Sequence, residues 1–231
     1  MNLIEKLITR LLKGSAYFQS TYEYDLYHLL KKRAADETLQ YIEMNMPNAM
    51  CFQSGKEQLL DYALSKIQID KGNVLEFGVL TGYSVNYIAR KLKNKTIFGF
   101  DSFEGLPGDW TGNFVSKHGL SQEGNMPKVE NNVHLFKGWF SNTILQYQKE
   151  NINDIAFLHV DCDIYSSTKD IFDMLGSKIK SGTIIVFDEY FNYRNWQQHE
   201  FKAFQEFVDQ TKIKYEYLAF NADCACCVRI L

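Results

Sequence analysis

The feature that most constrains the fold is an alternation of short apolar runs and helical segments that begins at "NVLEFG", residues 73–78. This texture is typical of βαβ units and a mostly parallel sheet. Strands are predicted at 74–77, 96–101, 133–137, 155–161, 183–188, 215–220 and 225–231, with helices beginning near Tyr83, Ser141, Ser167 and Asn195. The last two strands leave almost no room for a helix, so we expect an antiparallel C-terminal hairpin at the sheet edge. The pattern predicts a doubly wound, seven-stranded α/β sheet.

The first 70 residues show helical patterns and no strand pattern. In "MNLIEKLITRLLKG" apolar residues recur at helical spacing, which predicts an amphipathic helix that packs against another subunit or domain, with a membrane surface as the alternative. Further helices are predicted at 24–44 and 55–67. We therefore divide the chain into a helical extension, 1–54, and a main domain, 55–231, and expect a homo-oligomer formed through the N-terminal helices.

Bulk properties narrow the function classes. A formal net charge of −3 gives no basic footprint, so nucleic acid is a poor candidate partner and a small molecule a better one. No apolar run is long enough to span a bilayer. Five cysteines without framework spacing suit a reducing compartment, which predicts a cytoplasmic protein. In "CACC", residues 224–227, we favour small strand residues over the alternative of metal ligands.

One connection is unusually long. About 30 residues rich in Gly, Asn and Ser, 102–132, stand where a crossover helix would be expected. Long irregular segments in compact domains are usually functional lids or disordered. Because Trp110, Phe114 and Leu120 give it something to bury, we expect a lid.

The glycine-containing turn "VLEFGVLTGYS", residues 74–84, joins a buried strand to a helix. Helix N-terminal amides there would face a ligand at the carboxyl end of the strand. Its spacing is not the dinucleotide fingerprint, and Glu76 would repel a pyrophosphate but suits a cationic ligand such as an amino acid ammonium. The alternative is a tight turn that needs glycine at Gly78 and Gly82. Asp101, about twenty residues further on, stands where a carboxylate accepts hydrogen bonds from ribose hydroxyls, which favours a nucleoside ligand.

Two further strands end in carboxylates. Asp161 and Asp163 follow one, and Asp188 and Glu189 follow the next, so three or four carboxylates should converge at one rim. Unless a cation compensates it, such a cluster opposes folding. Oxygen ligands favour Mg²⁺, with Mn²⁺ or Ca²⁺ as alternatives. Asp163 has three possible roles, as a helix N-cap, as an orienting residue behind the metal ligands, or as a ligand itself.

In this order, Glu76, Gly78, Gly82, Asp101, "DSFEGLP", "KGWFSNT" and "HVDCDIYSST" resemble a class I S-adenosylmethionine-dependent methyltransferase, of the macrocin O-methyltransferase-like family of metal-dependent sugar O-methyltransferases. The resemblance covers roughly residues 55–231. It implies that the cofactor is S-adenosylmethionine and that Asp161, Asp188 and Glu189 hold the metal ion, although the family often has aspartate at the last position. The implied cofactor-binding residues are Glu76 and Gly78 at the methionine part, Asp101 at the ribose, Phe103, Gly138 and Trp139 at the adenine, and Gly82, Ser84 and Ser102 beside them.

The implied reaction is methylation of a hydroxyl of a sugar or related polyhydroxylated metabolite. Two neighbouring hydroxyls can chelate an ion, which lowers the pKa of the reacting hydroxyl and directs it. His159 is the first candidate for the proton acceptor, against the alternative of a satisfied core histidine, and Asp161, His118 and His199 are others. Three rival classes stay open: an NAD-dependent oxidoreductase, a glycosyltransferase that uses "DCD" as its metal motif, and a non-catalytic nucleoside-binding module.

Overall fold

A computed structural model describes residues 4, 7, 10, 25–113 and 115–231 of the chain. Most of the predicted amphipathic helix at 1–14, and Phe114 of the predicted lid, lie outside the described residues. Among the helices that are described, none is both long enough and apolar enough to cross a membrane.

The elements follow the predicted alternation closely. The helices are α1 (Leu26–Asn45), α2 (Glu57–Ser65), α3 (Tyr83–Lys91), α4 (Phe140–Glu150), α5 (Tyr165–Leu175) and α6 (Glu200–Thr211), with 3₁₀ turns at Gly176–Lys178 and Trp196–Gln198. The strands are β1 (Met50–Phe52), β2 (Asn73–Phe77), β3 (Ile97–Asp101), β4 (Val133–Lys137), β5 (Ile155–Val160), β6 (Ile179–Phe187), β7 (Tyr215–Asn221) and β8 (Cys226–Ile230). The helix predicted near Asn195 is a 3₁₀ turn there, and α6 itself begins at Glu200.

The strands form one sheet in the order β1-β7-β8-β6-β5-β2-β3-β4. Strand β8 runs antiparallel to β6 and β7, and the other neighbouring pairs are parallel, so the doubly wound sheet and its C-terminal hairpin are confirmed. The predicted count of seven strands is wrong, because β1 adds an eighth. This three-residue strand pairs with the outer side of β7, so β1, and not the hairpin, forms that edge. Three residues are too few to show a period of two, which is why the pattern missed it.

Apolar layers cover both faces of the sheet. One contains Phe77, Phe100 and Leu158 and the other Val74 and Phe157, and every residue of β5 is buried. Alternate residues of a central parallel strand therefore enter opposite layers, and neither face is solvated. A polar side chain in mid-strand here needs a buried partner.

Helix α1 packs on the loop that follows β6. The Thr38 hydroxyl accepts a hydrogen bond from the Asn192 backbone N–H at 2.9 Å, and the rings of Tyr41 and Trp196 meet edge to face at 5.5 Å. The Tyr41 hydroxyl also lies 2.6 Å from that of Tyr217 on β7. The N-terminal region thus supports the loop that leads away from the end of β6.

The segment 102–132 contains no helix or strand among its described residues, and it folds back on itself over the carboxyl ends of the strands. The Leu106 N–H donates to the Gly119 carbonyl at 3.1 Å, and the His118 N–H donates to the Leu106 carbonyl at 3.0 Å. Leu106 and Trp110 are buried against Ile164. Trp110 is therefore part of a small apolar cluster that attaches the segment to Ile164, just before α5.

Candidate active site

The register of the strands determines which residues are neighbours at the site. Phe77 of β2 lies between Phe100 of β3 and Val160 of β5, and Val160 lies beside Phe187 of β6. The residues that directly follow β5 and β6 continue the hydrogen bonding between the strands. The Asp161 N–H donates to the Phe77 carbonyl at 2.8 Å, and the Asp188 N–H donates to the Val160 carbonyl at 2.9 Å. Asp101, Gly78, Asp161 and Asp188 consequently form one row along the rim.

Gly78 is required by the packing of this row. Its φ is +95°, and a Cβ atom placed on it would lie 1.6 Å from the carbonyl oxygen of Asp161. Any side chain would push the ends of β2 and β5 apart. The glycine therefore lets the turn after β2 lie against Asp161. Asp161 is the first of four rim carboxylates, which we call the acidic cluster: Asp161, Asp163, Asp188 and Glu189.

Asp101 ties the end of β3 to the turn after β2. One carboxylate oxygen accepts the N–H groups of Val79 and Leu80, both at 2.8 Å, and the other accepts the Phe103 N–H at 2.7 Å. Asp101 also lines the central cavity. It is thus held rigidly with its carboxylate beside the space that a ligand would enter.

Glu76 and His159 are fully buried register neighbours on β2 and β5. One Glu76 oxygen lies 2.9 Å from His159 Nδ1, and the other accepts the Ser84 hydroxyl of α3 at 3.0 Å. Burial opposes protonation of the imidazole, but the carboxylates of Asp188 and Glu76 outweigh it and raise the pKa of His159 to about 10. Both side chains lie behind the wall of the cavity, whereas Ser84 reaches it.

The acidic cluster holds an ammonium group. The Lys56 Nζ atom lies 2.8 Å from Asp161 Oδ2 and 2.6 Å from Asp188 Oδ2, so one cation joins the ends of β5 and β6. Burial disfavours this charge, but the attraction of Asp161, Asp188 and Glu189 outweighs it and raises the pKa of Lys56. The predicted convergence of the carboxylates is therefore present, with a lysine that the sequence analysis did not identify.

The carboxylates of the cluster perturb each other strongly. Burial and repulsion from Asp188 raise the pKa of Asp161 to about 6, and burial with repulsion from Asp161 raises the pKa of Asp163 to about 8. For Asp188 burial also opposes ionisation, but His159 and Lys56 outweigh it and hold the pKa below its usual range. Within the described part of the chain, the cluster thus carries more acidic groups than the ammonium of Lys56 neutralises.

The donor set suits a hard divalent ion. Among the described residues, ligand atoms of Asp161, Asp163 and Glu189 lie within 4.8 Å of one another, and so do those of His159, Asp161 and Asp188. The Glu189 Oε2 atom is buried and has no hydrogen-bond partner in the described part of the chain. Buried polar atoms in proteins are normally satisfied, so an unpartnered carboxylate oxygen in an acidic cluster is a suitable ligand for a cation.

Asp163 does not act as a helix cap. Helix α5 is preceded by Ile164 at the N-cap position, and no side chain caps it. Asp163 instead has a φ of +65° and lines the cavity next to the other carboxylates. The sharp turn in "DCD" directs this side chain toward the cavity.

Glu200, at the start of α6, is a second residue that the sequence analysis missed. It is fully buried, and its two oxygens accept the backbone N–H groups of Cys162 at 3.4 Å and Glu189 at 3.2 Å. Burial and repulsion from Asp163 raise its pKa well above the usual value. Glu200 therefore fixes the loops after β5 and β6 relative to each other.

A cavity of about 780 Å³ opens at this rim, within the usual range for small-molecule sites. The predicted site residues on its wall are Gly78, Ser84, Asp101, Ser102, Trp139, Asp161 and Glu189, and those that do not line it are Glu76, Gly82, Phe103, Gly138, His159 and Asp188. The segment 102–132 adds Trp110, Lys117 and His118. The turn, the acidic cluster and the covering segment thus share one space.

His199 links the covering segment to α6. Its Nε2 atom lies 2.8 Å from the Thr111 carbonyl oxygen, while Nδ1 is buried with no partner among the described residues. Burial lowers the pKa of His199, although the hydrogen bond with Thr111 opposes the shift.

This arrangement predicts a pH dependence. The unfolded chain gains a proton at His199 near pH 6.5 and the folded protein only at lower pH, so the free energy of unfolding falls as the pH is lowered through that window. His199→Gln keeps a donor for Thr111 but cannot titrate. We expect the wild-type protein to lose stability relative to this variant between pH 7 and 5.5, by at most about 1.4 kcal/mol per pH unit. Urea unfolding at several pH values checks this, and parallel curves would contradict it.

Comparisons with known proteins agree with this geometry. A family model described as Macrocin-O-methyltransferase (TylF) matches residues 8–227. Among solved structures, CalS11, "Calicheamicin Methyltransferase", is similar with a TM-score of 0.61 and 20% identity, over 74% of this chain and 76% of that one. The "O-methyltransferase NovP" is similar with a TM-score of 0.54 and 21% identity, over 75% of this chain and 76% of that one. No curated protein matches.

The family match spans most of the chain and agrees with the resemblance seen in its motifs. The structural likenesses, at these identities, support the same fold. The protein is an S-adenosylmethionine-dependent methyltransferase, and the chain belongs to the macrocin O-methyltransferase (TylF) family.

Proposed function

We propose that this enzyme methylates a hydroxyl of a sugar or related small polyhydroxylated metabolite, and that it uses a divalent cation, Mg²⁺ first, held by Asp161, Asp188 and Glu189. The observation that carries the proposal is the shared cavity. Asp101 and the turn at Gly78 border the same space as the acidic cluster. In that cluster Asp161 and Asp188 lie close enough together for both to contact the Lys56 ammonium.

For the cofactor, the sulfonium of S-adenosylmethionine supplies an electrophilic methyl group, so the protein must mainly orient the acceptor and remove its proton. We propose that Asp101 accepts hydrogen bonds from the ribose hydroxyls and that Trp139, about one-third exposed in the wall, borders the adenine. Glu76 is too buried to touch a ligand, and we propose that it positions the turn through its hydrogen bond with Ser84. Of the other residues that the motifs imply, Gly78, Ser84 and Ser102 line the cavity, and we propose that they contact the cofactor. Gly82, Phe103 and Gly138 do not line it, and we propose that they shape the loops beside the cofactor.

For the metal, a divalent cation when bound would lower the pKa of a neighbouring acceptor hydroxyl and fix its direction. We propose Asp161, Asp188 and Glu189 as ligands, the set that the motifs imply. Asp161 belongs to both groups of close ligand atoms, Asp188 and Glu189 to one group each, and one Glu189 oxygen is unpartnered. Glu200 holds the backbone of the two ligand loops, and His159 lies 3.9 Å from Asp188 on its far side. Such supporting contacts orient metal ligands in other proteins.

For the proton acceptor, the geometry favours Asp163 over His159. Asp163 lines the cavity beside Asp161, next to the space in which an acceptor hydroxyl would lie. His159 is fully buried, and both neighbouring carboxylates favour its protonated form. We therefore propose that Asp163 takes the proton, with Asp161 as the alternative, and that His159 positions Glu76 and Asp188.

A sugar acceptor is proposed from the family and from the cavity wall. A second structure of CalS11, 22% identical with a TM-score of 0.54 over 74% of this chain and 76% of that one, is described as a "TDP-rhamnose 3'-o-methyltransferase". In this chain, Trp110, Lys117 and Asp170 are among the residues that line the cavity. An aromatic ring with polar groups around it can bind a polyhydroxylated molecule.

The test combines binding with product detection. Calorimetry with S-adenosylhomocysteine, NADH and UDP, each with and without Mg²⁺, should give binding of the first alone. Incubation with S-adenosylmethionine and a library of sugars and nucleotide sugars should then add 14 daltons to an acceptor, a reaction that a chelator stops and Mg²⁺ restores. UDP binding without S-adenosylhomocysteine binding would instead favour the glycosyltransferase alternative, and cofactor binding with no methylated product would favour a non-catalytic module.

Asp101→Asn tests the cofactor assignment. The amide keeps the shape of the side chain but replaces one acceptor oxygen by a donor, which faces the N–H groups of the turn or the ribose. We expect the affinity for S-adenosylhomocysteine to fall by about 1 to 3 kcal/mol, the scale of lost charged hydrogen bonds. Asp70→Asn, at the exposed opposite end of the sheet, is the matched control and should bind like the wild type. Equal affinity of all three proteins in calorimetry would refute the assignment.

We also propose the division into an extension, 1–54, and a methyltransferase domain, 55–231, with 102–132 as a lid over the acceptor. A homo-oligomer through the N-terminal helices is proposed from α1, on which Leu26, Leu29 and Leu39 are exposed. A cytoplasmic location fits five cysteines that are all free thiols.

A further inference from the structure

Lys56 occupies an unusual position for a surface lysine. It immediately precedes α2, 105 residues before Asp161 in sequence, yet its ammonium joins the ends of β5 and β6. Its side chain is about one-third exposed, whereas that of Asp188 is almost completely buried. The ion pair is therefore anchored in the protein at Asp188, whereas Lys56 borders the open cavity.

The backbone around Lys56 is fixed by the turn between β7 and β8. The Gly55 N–H donates to an Asp223 carboxylate oxygen at 2.8 Å, and the Gly55 carbonyl accepts the Asn221 side-chain amide at 3.1 Å. On the other side, the Lys56 carbonyl accepts the first hydrogen bond of α2, from Leu60 at 2.9 Å. The lysine is thus aimed at the cluster from a rigid base, while its four-carbon stem can still swing away.

The ammonium and a divalent ion require the same oxygens. The Asp161 and Asp188 Oδ2 atoms that lie 2.8 and 2.6 Å from Nζ are among the ligand atoms proposed for the ion. Two cations on the same oxygens repel each other strongly in a partly buried site, so the ammonium and the ion compete for these carboxylates. The Glu189 oxygen that Lys56 leaves unpartnered shows that one ammonium does not satisfy the whole cluster.

We propose that Lys56 is a built-in counter-ion of the metal-binding carboxylates, and that a divalent cation binds by displacing it. The proposal rests on the metal site of the proposed function and adds the residue that sets its occupancy. Without the ion, Lys56 neutralises the ends of β5 and β6 and keeps them together. With the ion, the ammonium swings toward the cavity, where it adds a positive charge on the acceptor side.

The first test compares Mn²⁺ binding, followed by electron paramagnetic resonance of free Mn²⁺ at pH 8, in the wild-type protein, Lys56→Met and Lys56→Arg. The methionine removes the competing charge and keeps the length of the stem, so we expect it to bind Mn²⁺ at least about tenfold more tightly. Lys56→Arg keeps the charge and should bind like the wild type. Lys180→Met, which removes an exposed lysine from the opposite end of β6, is the matched control and should also be unchanged.

The outcomes separate the two proposals. Equal Mn²⁺ affinity in the wild type and Lys56→Met would overturn the role of Lys56 and leave the metal site standing. No Mn²⁺ binding by any of the proteins would instead overturn the metal site itself.

A second measurement needs no substitution and so does not depend on a variant that folds. Lysines of the wild-type protein are labelled with an N-hydroxysuccinimide ester, and the labelled sites are quantified by mass spectrometry with and without Mn²⁺. Release from two carboxylates should increase labelling of Lys56 severalfold and leave Lys180 unchanged. Constant or reduced labelling of Lys56 at saturating Mn²⁺ would contradict displacement.

Discussion

Asp188→Asn is expected to abolish methyl transfer while leaving the cofactor site intact. The substitution keeps the size of the side chain but removes a negative charge that faces both Lys56 and His159. A metal ion that activates a hydroxyl contributes several kcal/mol of transition-state stabilisation, so loss of a ligand should lower kcat by about 10³-fold or more. The affinity for S-adenosylhomocysteine should stay within about twofold, because Asp188 lies outside the wall of the cavity.

The measurement is a methyl-transfer assay at saturating Mg²⁺ together with calorimetry for S-adenosylhomocysteine. Asp173→Asn is a suitable control, since this carboxylate lies on the exposed side of α5 and pairs with Lys169. Thermal unfolding of both variants shows whether the fold survives. Retained turnover in a folded Asp188→Asn protein would refute the metal proposal.

Asp163→Asn is expected to have the next largest effect, a loss of about 10²- to 10⁴-fold in kcat, which is the usual contribution of a general base. The amide cannot accept the proton of the acceptor hydroxyl. Because the base must be ionised to work, kcat of the wild type should rise with pH through the apparent pKa of the cluster, and this rise should be lost in the variant.

His159→Gln provides the discriminating comparison for this prediction. The glutamine can still reach Glu76 and cannot act as a base, so we expect a smaller loss of kcat and a wild-type pH profile. The assignment of Asp163 would be contradicted if His159→Gln removed the pH dependence and Asp163→Asn kept it. Asp173→Asn again serves as the control for loss of one carboxylate from this region.

Much of the fold could be predicted because the central strands are long apolar runs with helices between them. Strands β2 to β8 and the helices α1 to α5 lie within a few residues of their predicted positions. Strand β1 could not be predicted, since Met50–Phe52 is too short for a pattern and forms only by pairing with β7. The first four residues of β6, "IKSG", were also missed, because they show neither an alternating pattern nor a continuous apolar run.

The acidic residues of the site could be predicted from position alone. Carboxylates that directly follow adjacent parallel strands meet at one rim, and Asp161 and Asp188 do so. How deeply each polar residue is buried behind the cavity was harder to predict. Glu76 and His159 are polar residues in mid-strand, and only the structure reveals that they bond to each other behind the cavity. Lys56 gave no signal because it lies 105 residues before Asp161, and Glu200 gave none because it begins a helix and does not follow a strand.

The central claim is that one cavity holds the methyl donor beside a divalent ion, which is bound by carboxylates that follow two neighbouring strands. It is tested most directly by crystals grown with S-adenosylhomocysteine and Mn²⁺, with data collected near the manganese absorption edge. The account predicts bound nucleoside at Asp101 and a single anomalous peak within coordinating distance of Asp161, Asp188 and Glu189. Density for the cofactor analogue with no manganese at these carboxylates, or with Lys56 still between them at saturating Mn²⁺, would contradict it.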